Sequence, residues 1–259
     1  MTSISHIFAA ASLAVLSLPL VPVSAGQGGA PDLTVDHVVL VMRHGVRPPT
    51  KDPAMPAGTA IGEWPKWSVN PGWLTPHGAG AVAGLGIADA RAFRRAGLLP
   101  EAGCPAAGSV RVVADSDQRT IATAAAWLDA LAPHCGLAAE HLPQDQQDPR
   151  FSAIETGAPG WSAAKADAAV LAAAGPGGLA ARDAQERALT LRLDTILCGA
   201  GKTPAKGVCG ISAAPTGLRP ASATSRPKLS GMIDKASTAA QVLLLEYADS
   251  KPMADVGWG

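Results

Sequence analysis

The sequence has no net charge: its 21 Lys and Arg residues are matched by 21 Asp and Glu across 259 residues. That removes the electrostatic footprint of a nucleic-acid binder or a polybasic membrane-surface protein, so any anion site has to be built locally. Only 16% of the residues are charged and 47% are apolar, which excludes an intrinsically disordered chain and leaves enough apolar surface for a sizeable core. The length allows one domain or two small ones. Metal-binding patterns are missing as well: no C-x-x-C, no H-x-x-x-H and no interleaved carboxylates accompany the four cysteines, so no metal site is expected.

The N-terminus lacks the Lys or Arg that opens most export signals and has only His6 there. The adjoining segment nonetheless has the form of one. Ile7 to Val23 is small and apolar and ends in Val23, Ser24 and Ala25, an A-x-A-like cleavage site before a Gly-rich stretch. Residues 1–25 are read as a signal peptide rather than a membrane anchor, because the run is shorter than the ~20 residues a span needs. No later stretch is apolar enough to cross a bilayer. Export accounts for an even number of cysteines, and Cys104, Cys135, Cys198 and Cys209 are expected to form disulfides in the periplasm or outside the cell. Three pairings exist; the local one, Cys104 with Cys135 and Cys198 with Cys209, closes loops of 31 and 11 residues.

Val35 to Met42 (VDHVVLVM) is short and Val-rich, which predicts a buried strand stopped by Pro48 and Pro49. A long connection then runs to Leu74, and Trp64, Trp67 and Trp73 point to an ordered lid. Thr75 and Pro76 form a helix start, with helical spacing to Ala96. Ser109 to Ala114 (SVRVVA) predicts a second strand, and a helix to Ala132 comes after it, capped by Ser116 or Asp117 with Arg119 in its first turn. Beyond Cys135 the pattern is helical at Ser162–Ala173, Ala180–Leu197 and Ser230–Ala248, with a turn-rich piece to Arg226. Two strand-to-helix junctions therefore carry polar residues at their carboxyl ends, where ligands bind in open α/β sheets.

The first junction reads Arg43, His44, Gly45, Val46, Arg47, Pro48, Pro49, or R-H-G-x-R-x-P. Five specified residues arise by chance in a chain this long with a probability on the order of 10⁻⁴. Two guanidiniums bracketing one imidazole stay charged at any working pH, hold a tetrahedral oxyanion through bidentate hydrogen bonds and favour the neutral, nucleophilic imidazole. Gly45 allows a close backbone approach to such an anion. Arg119 offers a third guanidinium from the second junction, or else a partner for Asp115 or Asp117. Thr50 and Lys51 offer donors from the lid.

RHGVRPPTK after an apolar strand, W-P-x-W with GWLTPHG behind it, and ADSDQRT after the second strand together resemble the histidine acid phosphatases, specifically the bacterial periplasmic acid phosphatase/phytase and glucose-1-phosphatase branch. The likeness continues through GCP at Cys104, LAPHC at Cys135, the Cys198 and Cys209 pair and the terminal VGWG. The resemblance implies an α/β, phosphoglycerate-mutase-like histidine phosphatase core with a helical subdomain, divided here as residues 26–134 for the N-terminal part of the core and 135–259 for the mainly helical part. It implies that His44 is the nucleophile forming a phosphohistidine, that Arg43, Arg47 and Arg119 bind the phosphate with Thr50 assisting, and that Lys51 and Asp115 sit by the substrate. It also implies a small-molecule phosphomonoester substrate, phytate or a sugar phosphate, and no cofactor.

Two departures from the family pattern stand out. Family members use a His-Asp pair far downstream whose Asp protonates the leaving alkoxide, and none of the six histidines here is followed by Asp. General acid catalysis is worth about 10²- to 10⁴-fold, so the sequence is expected to be the N-terminal portion of a longer phosphatase, with an incomplete sheet and impaired turnover. A phosphate or oxyanion binder without chemistry is the alternative. Gln241 stands where phytase-like relatives tend to carry Glu on a helix facing the substrate.

Overall fold

The computed structural model describes residues 34–199 and 209–257, and among them five α-helices, one short hairpin and a 3-10 turn at Met253–Asp255. The expected signal segment and the last two residues of VGWG lie outside the described residues. Helix α1 (Pro76–Arg95) starts as its sequence dictates. Thr75 is extended at the N-cap and its hydroxyl accepts the Gly78 N–H at 2.9 Å, while Pro76 occupies a position where no N–H is needed. Helix α2 (Gln118–Leu131) packs along α1. Gly86 permits the approach, since a Cβ there would stand 2.6 Å from the Trp127 carbonyl oxygen. Val82, Ala90, Leu99, Trp127, Leu128 and Leu131 fill the seam. Trp127 also satisfies its one polar atom, donating from Nε1 to Asp89 at 2.9 Å. Fully burying a leucine contributes roughly 1.5–3 kcal/mol, and Leu128 and Leu131 are each 1% exposed.

Helix α3 (Ala163–Ala173) has its N-cap at Ser162, and α4 (Gly178–Cys198) begins after Gly177, whose φ of 83° belongs to the left-handed region glycine tolerates. The hairpin pairs β1 (Gly217–Arg219) antiparallel with β2 (Lys228–Ser230), where the sequence shows only turn signals as far as Arg226. Helix α5 (Met232–Ala248) closes a second buried cluster of Met55, Leu197, Cys198, Ile211 and Ala239. Beside it the buried Asp194 carboxylate accepts the N–H groups of Ile211 at 2.7 Å and Ser212 at 3.2 Å. The disulfides join Cys104 to Cys135 and Cys198 to Cys209, and such cross-links typically contribute about 2–4 kcal/mol each.

The two expected strands differ from expectation. Residues 35–42 run extended but pair with no strand among the described residues, and Val39 and Val41 are 91% and 92% exposed. Residues 109–114 make a single parallel bridge, Val113 to Glu140, with Ala114 N–H donating to Glu140 and Glu140 N–H to Val112, both at 2.9 Å. A strand exists only through its partner's hydrogen bonds, so β-branching and apolarity alone yield an extended chain with open edges. Between the two segments lies a groove of about 820 Å³ floored by Phe93, Leu99, Trp127 and Leu131.

The long connection between Pro48 and Leu74 is tied down rather than hinged. Met55 is inserted into the second cluster, Ile61 N–H donates to Leu197 at 2.8 Å, Gly210 N–H donates to Gly58 at 3.2 Å, and Gly72 N–H closes back on Pro49 at 2.9 Å. Thr75 then links α1 to the end of α5 by donating to Asp249 Oδ1 at 2.5 Å. These ties set the position of the RHG segment between α1, α2 and α5.

Candidate active site

Residues Arg43 to Arg47 continue the run without a bend beneath the start of α1. Backbone groups hold the segment: Gly45 N–H donates to Thr123 Oγ1 on α2 at 3.0 Å, and Thr75 N–H donates to Val46 at 2.9 Å. A Cβ on Gly45 would lie 2.8 Å from the Gly78 carbonyl oxygen and 2.8 Å from Leu74 Cδ1. The close approach that Gly45 permits in the structure is therefore that of α1.

His44 is half-buried, with Nδ1 2.7 Å from the Gly45 carbonyl oxygen. A carbonyl only accepts, so this bond requires the proton on Nδ1 and leaves the lone pair on Nε2. Burial pulls the His44 pKa below its usual 6.5; the Gly45 hydrogen bond opposes this, and repulsion from Arg47, Arg119 and Arg43 adds to it. The imidazole is thereby held neutral and nucleophilic into mildly acidic solution.

The guanidiniums differ in how free they are. Arg47 Nη1 donates to Pro48 O at 2.7 Å, while its buried Nε has no hydrogen-bond partner. Burial, then Arg119 and Arg43, lower its pKa from the usual arginine value, with Asp117 opposing; an arginine so placed remains charged at working pH. Arg119 Nη2 pairs with Asp117, one of the two acids the sequence offers it, and its buried Nε is likewise unpartnered. Asp117 occupies the N-cap of α2 without capping it through its side chain. A buried donor left without an acceptor costs about 1–3 kcal/mol, and two such donors flank the histidine.

Thr50 and Arg119 converge on Gly72: a Cβ there would sit 3.4 Å from Thr50 Cγ2 and 3.7 Å from Arg119 Nη1. The remaining expected residues fall into two groups. Arg43, His44 and Asp115 line the end of the 820 Å³ groove, and Asp115 Oδ1 accepts the Ser116 N–H at 2.8 Å. Arg47, Thr50 and Lys51 line a separate cavity of about 570 Å³ against α5. Gln241 of α5 lines that cavity as well.

Two residues that hold the site have no role legible from the motifs. Thr123 anchors Gly45, and Gln118 Oε1 accepts the Leu74 N–H at 3.0 Å. Only their clustering around the second junction signals them in the sequence. Among the described residues no group of three His, Cys, Asp or Glu is arranged to hold a metal ion, and no helix is long and apolar enough to cross a membrane.

The segment from Arg43 to Arg47 thus brings an imidazole and two arginines beside Arg119 of α2. The description of the Histidine phosphatase superfamily (branch 2) matches residues 34–185. The chain belongs to that family. It is 32% identical over 253 residues to Phytase AppA of Escherichia coli (strain K12), covering 94% of this chain and 57% of the relative. It is 26% identical over 255 residues to the glucose-1-phosphatase of Providencia rettgeri, covering 95% and 58%. The solved phytase of Hafnia alvei in complex with tartrate superposes with a TM-score of 0.73 at 33% identity, over 83% of this chain and 53% of that one. The chain thus spans a little over half the length of the relatives it matches.

Proposed function

We propose that this protein is an exported histidine acid phosphatase acting on phosphomonoesters, phytate or sugar phosphates, through a phosphohistidine at His44. The observation that carries the reading is the His44 tautomer inside a ring of arginines: Nδ1 bonded to Gly45, Nε2 unprotonated, and guanidinium nitrogens of Arg47 and Arg119 unpartnered beside it. His44 Nε2 attacks phosphorus, the N–P bond forms, and the ester P–O bond breaks with its electron pair going to the leaving oxygen. Arg43, Arg47 and Arg119 hold the phosphoryl oxygens as charge redistributes. Thr50 supplies a further donor, and Lys51 and Asp115 are the residues that the family resemblance puts beside the substrate. Water then displaces the imidazole, releasing phosphate and returning the electron pair to Nε2. Two disulfides support an oxidising compartment, the periplasm or the exterior.

A rapid-quench assay on the oxidised chain with an activated aryl phosphate, in EDTA, tests this. An aryl oxide departs without a proton, so the burst reads the nucleophile and its arginines alone. A stoichiometric, acid-labile phosphoenzyme, absent in His44→Ala, is the expected result. Saturable phosphate binding by a folded chain with no covalent species would overturn the catalytic reading and leave a phosphate or oxyanion binder.

A further inference from the structure

Glu246, on the last turn of α5, is a buried acid that the chemistry at His44 leaves unused. Its side chain is 0% exposed; Oε2 accepts the Gly257 N–H at 2.6 Å, while Oε1 has no hydrogen-bond partner. A carboxylate taken out of water is costly unless a charge compensates it. Here the compensation is ionic, from Lys251 Nζ at 3.7 Å from Oε1. That same ammonium stands 5.6 Å from the centre of the Trp67 ring, within cation–π range. Lys251 therefore bridges the end of α5 and the long connection.

The backbone brings Lys251 to this place. Ser250 N–H donates to Tyr247 O at 3.0 Å and Lys251 N–H to Glu246 O at 3.2 Å, the two bonds of a Schellman motif. Ser250 takes the position glycine usually holds there, with a φ of 66°. The reversal carries Lys251 back beside Glu246, where its side chain is only 27% exposed. Beyond Trp67 the connection runs on to the phosphate site. Trp73 N–H turns back to Asn70 O at 3.0 Å, Gly72 N–H closes on Pro49 O at 2.9 Å, and Gly72 abuts Thr50 and Arg119.

We propose that Lys251, held by the buried Glu246 carboxylate, is a positioning residue for phosphate binding. By clamping Trp67 it fixes the stretch of the connection that sets Thr50 and Gly72 against Arg119. The proposal rests on the phosphatase reading of the His44 site.

Calorimetric titration of the oxidised chain with inorganic phosphate at low ionic strength tests it. Lys251→Met keeps the side-chain length, loses the charge and weakens phosphate binding about three- to tenfold, the worth of one partly buried cation–π contact. Lys251→Arg retains the affinity, because a guanidinium serves both the carboxylate and the ring. Trp67→Leu weakens binding as much as Lys251→Met, and the double variant is no worse than either, since each removes the same contact. Glu246→Gln keeps an acceptor for the Gly257 N–H and makes the chain more positive, yet it too weakens binding, because Lys251 is released. Long-range charge alone predicts tighter phosphate binding by Glu246→Gln, so that result overturns the clamp. Affinity that ignores both Lys251→Met and Trp67→Leu but is lost in Arg47→Ala also overturns the clamp and leaves the His44 site intact. Phosphate binding that ignores Arg47→Ala, or no binding by the unaltered chain, overturns the phosphate-site reading itself, and the clamp with it.

Discussion

Replacing Gly78 by alanine should loosen the segment around His44 from behind. A Cβ there would lie 2.5 Å from Val46 O, 2.6 Å from Val46 N and 3.1 Å from Val46 Cα, where ordinary contact begins at 3.4 Å. All three atoms are backbone, so no side chain can swing away. Relief requires the start of α1 to lift from the Val46 backbone, straining the Thr75–Val46 and Gly45–Thr123 hydrogen bonds. Overpacking of this kind costs roughly 1–3 kcal/mol, and each weakened hydrogen bond adds about 0.5–1.5 kcal/mol. Alanine's better helix propensity returns up to about 1 kcal/mol, leaving a net loss near 2–3 kcal/mol. For a chain of this size that is about 5–10 °C in Tm. Gly80 and Gly84 on the same helix have no atom within 4 Å of the same added carbon, so alanine at either should stabilise by roughly 0.5–1 kcal/mol. Thermal and urea melts of the oxidised chain, monitored by circular dichroism, read both signs. Gly78→Ala shifting in the same direction as Gly80→Ala would refute the packing argument.

The site and the open edge each carry a further expected outcome. By NMR the His44 ring should titrate below 6.5 in the folded chain, and Arg47→Gln should raise its midpoint. Between the folded value and 6.5 the unfolded chain binds more protons, so this histidine's contribution to stability is present above 6.5 and lost as pH falls through that window; a midpoint at or above 6.5 would contradict the burial and charge argument. Val39→Lys with Val41→Lys should reduce light scattering on storage, because both side chains lie more than nine-tenths exposed on an unpaired extended segment. Scattering unchanged by the pair would show that this edge is not where copies associate.

The local chemistry of the chain was legible from residue order alone. Thr75 and Pro76 start α1 because a hydroxyl acceptor ahead of a residue without an N–H suits the first turn. Ser162 caps α3 in the same way, and R-H-G-x-R-x-P marks the site because so dense a set of charged and special residues serves little else. Such features depend on neighbours a few positions apart. What depended on distant partners was decided only by the tertiary structure. The runs 35–42 and 109–114 have strand composition, yet a ladder needs a second backbone, and the described residues supply one bridge. The roles of Thr123 beneath Gly45, Gln118 against the Leu74 N–H, and Lys251 over Trp67 were likewise invisible. Each joins segments that only the packing of α1 on α2, or of α5 on the long connection, brings within reach.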